Sequence, residues 1–162
     1  MMWHSLIGAI HLFSASFALI SGAFVMLLRK GTLLHRMMGR AWVLAMLTVN
    51  TSALSLYRLT GHFELFHVFA LISLATISAG IGAVLLKRPG WLMLHYRFMA
   101  YGYLGLLAAA TAEAVTRLHV IQLHGAAGII SIGLAIGILF TIAGRLLMPR
   151  LQRTAFSMQA KL

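Results

Sequence analysis

RKGTLLHRMMGR, residues 29–40, decides how the rest of the chain is read. It gathers Arg29, Lys30, Arg36 and Arg40 around His35, in a chain that holds only 2 acidic residues. Apolar runs flank it on both sides. A second stretch, KRPGWLMLHYR at 87–97, repeats the design with Lys87, Arg88, His95 and Arg97. Basic clasps alternating with apolar runs are the pattern of a chain that crosses a bilayer and rests its connectors on anionic headgroups.

Composition agrees. Of 162 residues, 61% are hydrophobic and 9% charged, a balance no soluble domain keeps in solution. The net charge of +11 would suggest nucleic acid in a soluble protein. Here the basic residues fall between apolar segments, so lipid is the expected partner and nucleic acid is not. The absence of cysteine excludes disulfides, thiolate metal sites and cysteine nucleophiles. No hydrolytic triad, phosphate loop or nucleic-acid module is present.

A bilayer core of about 30 Å needs about 20 apolar residues in a helix. Five segments qualify: Leu6–Leu28, Ala41–Leu59, Leu65–Leu86, Phe98–Val115 and Gly125–Leu147. The second has an interfacial helical start near Thr32. The expected fold is all-α, a polytopic transmembrane bundle of five helices over 1–148 with a basic cytoplasmic tail over 149–162. Short connectors make successive helices antiparallel neighbours. Arg29, Lys30, Arg36, Arg40, Lys87, Arg88, Arg97 and the tail's Arg150, Arg153 and Lys161 all fall on one side. The positive-inside rule then places the N-terminus outside and the C-terminus inside a bacterial cytoplasmic (inner) membrane. The first segment lacks a basic leader and runs long, so it reads as a span and not as a cleaved signal.

Histidine is abundant, 8 in all. A helical hairpin recurs: His11 opens one apolar run that ends at His35, and His67 opens another that ends at His95. His124-x-x-x-Gly128 echoes His4-x-x-x-Gly8 as a third half-unit. On the expected topology His11 and His67 form an outer layer and His35 and His95 an inner one. His4, His62, His119 and His124 lie near the outer surface. Imidazoles that face each other across a bundle can hold a haem iron from both sides. Arg36, Arg40 and Arg97, with Lys30 and Lys87, would serve the propionates of an inner haem.

This order of histidines resembles the transmembrane di-haem b-type cytochromes, including the ascorbate-dependent ferric reductases. That resemblance implies one ligand from each of His11, His35, His67 and His95, paired between alternate helices. The spacings of 24, 32 and 28 residues are shorter than that family usually shows. The string KGTLLHRMMGRAWVLAM at 30–46, with the later HYRFM at 95–99, is similar to a family of small bacterial inner-membrane proteins catalogued as a domain of unknown function. It implies localisation and fold, not mechanism.

The expected function is therefore a membrane b-type cytochrome that carries electrons through one or two haem b groups, with quinol or a redox protein as partner. His11 to Arg29 spans 18 residues, about 27 Å of helix, which would set two irons some 20–27 Å apart and makes a single haem a serious case. His124 is the reserve outer ligand. The alternative is a cofactor-free, partner-binding membrane subunit with a basic cytoplasmic face, and an oligomer fits either reading. A third reading is a metal-ion binder built on the outer histidines, although 62/67 and 119/124 miss the i, i+4 spacing of a helical chelate. Glu113 with Arg117 at i+4 reads as a helix-face ion pair ahead of a proton relay.

Overall fold

The computed structural model describes residues 6–55, 65–116, 131 and 134–146. Five helices run through them: α1 (Leu6–Leu27), α2 (Leu33–Ser55), α3 (Leu65–Leu86), α4 (Trp91–Thr116) and α5 (Leu134–Leu146). No strand occurs among the described residues. The chain forms two compact units, residues 1–100 and 101–162.

The two basic clasps are turns with their own chemistry. In the first, α1 ends with bare carbonyls, as every helix does. Lys30 covers them: its Nζ donates to the carbonyls of Val25 at 3.0 Å, Met26 at 2.6 Å and Leu28 at 3.2 Å. A cation at a helix C-terminus also opposes the negative end of the helix dipole. Gly31 follows with φ of +80°, a left-handed conformation that residues with a Cβ adopt at a cost. Thr32 then caps α2, its Oγ1 accepting from the His35 N–H at 3.1 Å and donating to the Arg29 carbonyl at 3.0 Å. The string Lys30-Gly31-Thr32 is thus a stop, a reversal and a start.

The second clasp solves the same problem with other residues. Pro89 and Gly90 occupy the centre of a turn closed by Trp91 N–H donating to the Arg88 carbonyl at 2.9 Å. Gly90 has φ of +78°, as a type II turn requires at that place. Helix α4 begins directly afterwards. His95 and Arg97 therefore lie on α4 and not in a connector, and the helix starts 7 residues ahead of the expected Phe98. Likewise His35, Arg36 and Arg40 lie in the first turns of α2, the helical start expected near Thr32.

Among the described residues, three helices are long and apolar enough to cross a membrane: Leu6–Leu27, His67–Leu86 and Trp91–Val115. Helix α2 carries Arg36, Arg40 and Asn50 and is less apolar. The expected Leu56–Leu59 end of the second span lies outside the described residues, as does most of 125–133.

Within residues 1–100 the usual order of inside and outside is reversed. Large apolar side chains face outward on α1: Phe13, Phe17, Ile20, Phe24 and Leu27 are all exposed. Small and polar ones face inward, with Gly8, Ala18, Ser21 and Gly22 buried on α1 and Asn50 and Ser52 on α2. In water this arrangement would aggregate. In lipid, outward apolar bulk is solvated and small inward residues let backbones approach. Polar contacts set the register. His11 Nδ1 donates to Val49 O at 3.2 Å and lies 3.0 Å from Ser52 Oγ, which fixes α1 antiparallel to α2. Asn50 Nδ2 donates to Ser73 Oγ at 3.1 Å and joins α2 to α3. In residues 101–162, Gly144 of α5 lets Tyr101 and Leu104 of α4 come close; a Cβ there would meet Leu104 Cδ1 and Tyr101 Cε1 at 3.0 Å each.

Loss of the α2 cap should be measurable. Thr32→Ala is expected to destabilise the protein by about 1 kcal/mol, and Gly31→Ala by about 1–2 kcal/mol for the left-handed φ. Thermal unfolding in detergent micelles reads both; unchanged midpoints would refute the stop–reversal–start account.

Candidate functional site: the inner histidine pair

Of the expected ligands, His35 and His95 feel each other's charge, while the contacts of Asn50 with Ser73 and of His95 with Gly80 set His95 deeper along α2 than His35. His35 is the third residue of α2, held there because Thr32 starts the helix. It is half-buried, with the Val25 carbonyl at the end of α1 beside its ring. Its Nδ1 is buried and makes no hydrogen bond.

His95 approaches from α4. Its Nδ1–H donates to the Gly80 carbonyl of α3 at 2.9 Å, which leaves the lone pair on Nε2. Gly80 permits this approach. A Cβ there would meet Met99 Cε at 2.5 Å and Phe98 Cβ at 3.2 Å. His35 and His95 are near enough to repel when both are charged. The His95 ring thus has one nitrogen engaged by a backbone carbonyl and the other carrying a lone pair, the state in which an imidazole binds a metal.

The surroundings of His35 disfavour its charged form. Burial lowers its pKa first, the charge of Lys30 second and that of His95 third; the Val25 carbonyl opposes them. Burial lowers the pKa of Lys30 as well. Both groups stand in the connector and first turn of α2, ahead of the apolar run from Ala41. Neither acidic residue of the chain, Glu64 or Glu113, belongs to either clasp.

The basic residues divide. Lys30 is committed to helix carbonyls. Arg36, Arg40 and Arg97 are exposed. At about 100° of turn per residue, Arg36 and Arg40 lie roughly 100–140° around α2 from His35, and Arg97 lies about 200° around α4 from His95. Their Cα positions do not aim them between the two imidazoles; only their long stems could carry the charge round.

The outer layer is organised differently. The His11 ring is tied to α2 through Val49 and Ser52. His67 is buried near the start of α3, 4% exposed. Asn50 is level with Ser73, so His67 stands about one to two turns beyond His11 toward the helix ends. His4, His62, His119, His124 and Arg117 lie outside the described residues. No group of three or more His, Cys, Asp or Glu that could hold a metal ion occurs among the described residues.

One residue of this face was not singled out in the sequence. Trp42 is 3% exposed, and its indole Nε1 makes no hydrogen bond. It stands seven residues after His35, two turns along the same face of α2. That spacing was the available signal.

The family model described as "Predicted membrane protein (DUF2306)" matches residues 8–151. No curated protein and no solved structure matches the chain.

Two measurements test the geometry. Because the folded chain disfavours charged His35, stability should be full above the unfolded pKa of about 6.5 and fall as pH drops through that value. Lys30→Met removes one of the lowering charges, so the imidazole of His35 should titrate at higher pH; NMR titration in micelles reads this, and an unmoved curve would contradict the contact. Gly80→Ala forces Met99 and Phe98 aside and should cost about 1–3 kcal/mol, read by unfolding in micelles.

Proposed function

The chain belongs to the DUF2306 family of predicted membrane proteins, and from that premise we propose that it is a small b-type cytochrome of the bacterial cytoplasmic membrane, holding haem b between His35 and His95. The observation that carries this reading is the buried His35 Nδ1 with no hydrogen bond, within electrostatic reach of a second imidazole on another helix. Polar atoms left bare in a dry interior cost about 1–3 kcal/mol unless something completes them. An acid would complete this one, but the chain places none in either clasp. A metal would complete it, and two neutral imidazoles are the donor set that haem iron takes.

The residues fit their roles. Burial and the neighbouring charges favour the neutral form of His35, and only a neutral imidazole ligates. The Gly80 carbonyl fixes the tautomer and direction of His95, as second partners of metal-bound histidines do. Lys30 caps α1 through carbonyls that include that of Val25, beside the His35 ring. Bound haem b would supply a one-electron couple. Quinol or a redox protein is the donor or acceptor class that such a couple serves in a membrane. His11 with His67 is the second ligand pair of this reading; His11 spends Nδ1 on α2 and keeps Nε2. Arg36, Arg40 and Arg97 serve the basic cytoplasmic face, which in this orientation meets anionic lipid. Their exposure also suits the second reading, a cofactor-free subunit that binds lipid or a partner through that face.

Purified protein expressed with ample haem supply decides between the two. A Soret band with sharp reduced α-bands is expected, with haem content per protein reduced in His35→Ala and in His95→Ala. Colourless wild-type protein, or haem content unchanged by both substitutions, would sink the inner haem.

A further inference from the structure

The string RMMGR at 36–40 holds two cations that the histidines leave idle. Arg36 and Arg40 are exposed, and neither guanidinium makes a hydrogen bond or ion pair among the described residues. Four residues apart, they stand on successive turns of α2, about 6 Å apart along the axis. Like charges at that spacing repel and weaken the helix. An anion between them turns the repulsion into two charge-assisted grips. The clasp supplies no such anion, because the 2 acidic residues of the chain, Glu64 and Glu113, lie elsewhere.

Gly39 adds an independent observation. It lies inside α2, where glycine weakens a helix relative to alanine. Its φ is not left-handed, and a Cβ there would meet nothing within 4 Å. Neither a turn nor close helix packing therefore accounts for it. What it leaves is an opening onto the backbone beside Arg36 and Arg40. Gly82 and Gly105 leave similar openings, but no cation lies within a turn of either.

The surroundings are apolar. Leu33, Met37 and Leu44 are exposed. With Arg36 and Arg40 they share one outward stripe of α2 about 100° wide, and Gly39 borders it. From Arg36 to Leu44 the stripe runs about 12 Å, into the apolar run that starts at Ala41. Guanidiniums at one end and aliphatic chains continuing inward suit an amphiphile and not a soluble anion. A zwitterionic lipid suits it less well, since its own ammonium meets the guanidiniums as a like charge.

We propose that this stripe docks one anionic phospholipid. Its phosphodiester lies between the Arg36 and Arg40 guanidiniums, its glycerol in the opening at Gly39, and an acyl chain along Met37 and Leu44. The inference rests on the reading of this end as a basic, lipid-facing surface and is independent of haem at His35 and His95.

The test titrates the full chain in detergent with an equal mixture of phosphatidylglycerol and phosphatidylethanolamine and counts bound lipid by native mass spectrometry. One tightly held phosphatidylglycerol per chain is expected. Arg36→Gln/Arg40→Gln should weaken it roughly tenfold or more. Gly39→Leu fills the opening without changing charge and should weaken it several-fold. Lys87→Gln/Arg88→Gln removes the same charge from the second clasp and should leave it unchanged. Equal weakening by the two charge-removing variants would mean a diffuse basic surface; it refutes the site and leaves the lipid-facing reading standing. No preference between the lipids refutes both. Glycerophosphoglycerol, the headgroup without chains, should not compete; if it does, the occupant is a soluble phosphate ester and the proposal falls. If the double glutamine variant does not fold, Gly39→Leu and Arg36→Lys/Arg40→Lys still decide. The lysines keep the charge but lose the planar fork, and binding unchanged in both variants overturns the proposal.

Discussion

A bilayer interior holds no water to satisfy a stray polar group, and this constraint organises the molecule. Helices answer it for the backbone. The few buried polar side chains must then find partners in the chain, and each such partnership fixes a register. His11 reaches Val49 and Ser52, Asn50 reaches Ser73, and His95 reaches the Gly80 carbonyl. Apolar packing between helices is nearly neutral against lipid tails, so these polar contacts and the small residues beneath them do much of the specifying. Where the same rule fails, at His35 Nδ1 and Trp42 Nε1, the failure carries information.

The connectors show how the constraint is met at helix ends. Lys30 donates to three carbonyls of α1, Gly31 turns the chain, and Thr32 begins α2. This places His35 at the third position of α2 with its ring against the last turn of α1. The same residues that stop one helix and start the next therefore also seat His35, and Lys30 adds to the burial that disfavours its charge. Structure and chemistry share one string, which accounts for its density of special residues without assigning each a separate task.

Much of this was legible beforehand for a physical reason. Hydropathy marks lipid-facing segments directly, because the solvent is apolar and outward residues answer to it. The basic clasps, the helical start near Thr32 and the membrane class all followed from such reading. The start of α4 at Trp91 was not legible, because the basic residues of 95–97 look like connector until the Pro89-Gly90 turn is seen to end the connector first. The placement of Arg36, Arg40 and Arg97 on exposed faces was not legible either: proximity along the chain says nothing about angle around the helix. Trp42 escaped notice because a tryptophan in an apolar run looks like core, and only the missing hydrogen bond sets it apart.

The two histidine layers differ in a way that sequence order hides. The hairpin repeat gives each an odd-helix and an even-helix member, as if the layers were equivalent. Yet His11 spends one nitrogen on a neighbouring helix's carbonyl and a serine hydroxyl, so its bond does structural duty whatever else it does. At His35, burial and the charges of Lys30 and His95 disfavour the charged ring, and its Nδ1 makes no hydrogen bond. The clasp residues therefore bear on this imidazole through charge, whereas α2 holds that of His11 through hydrogen bonds.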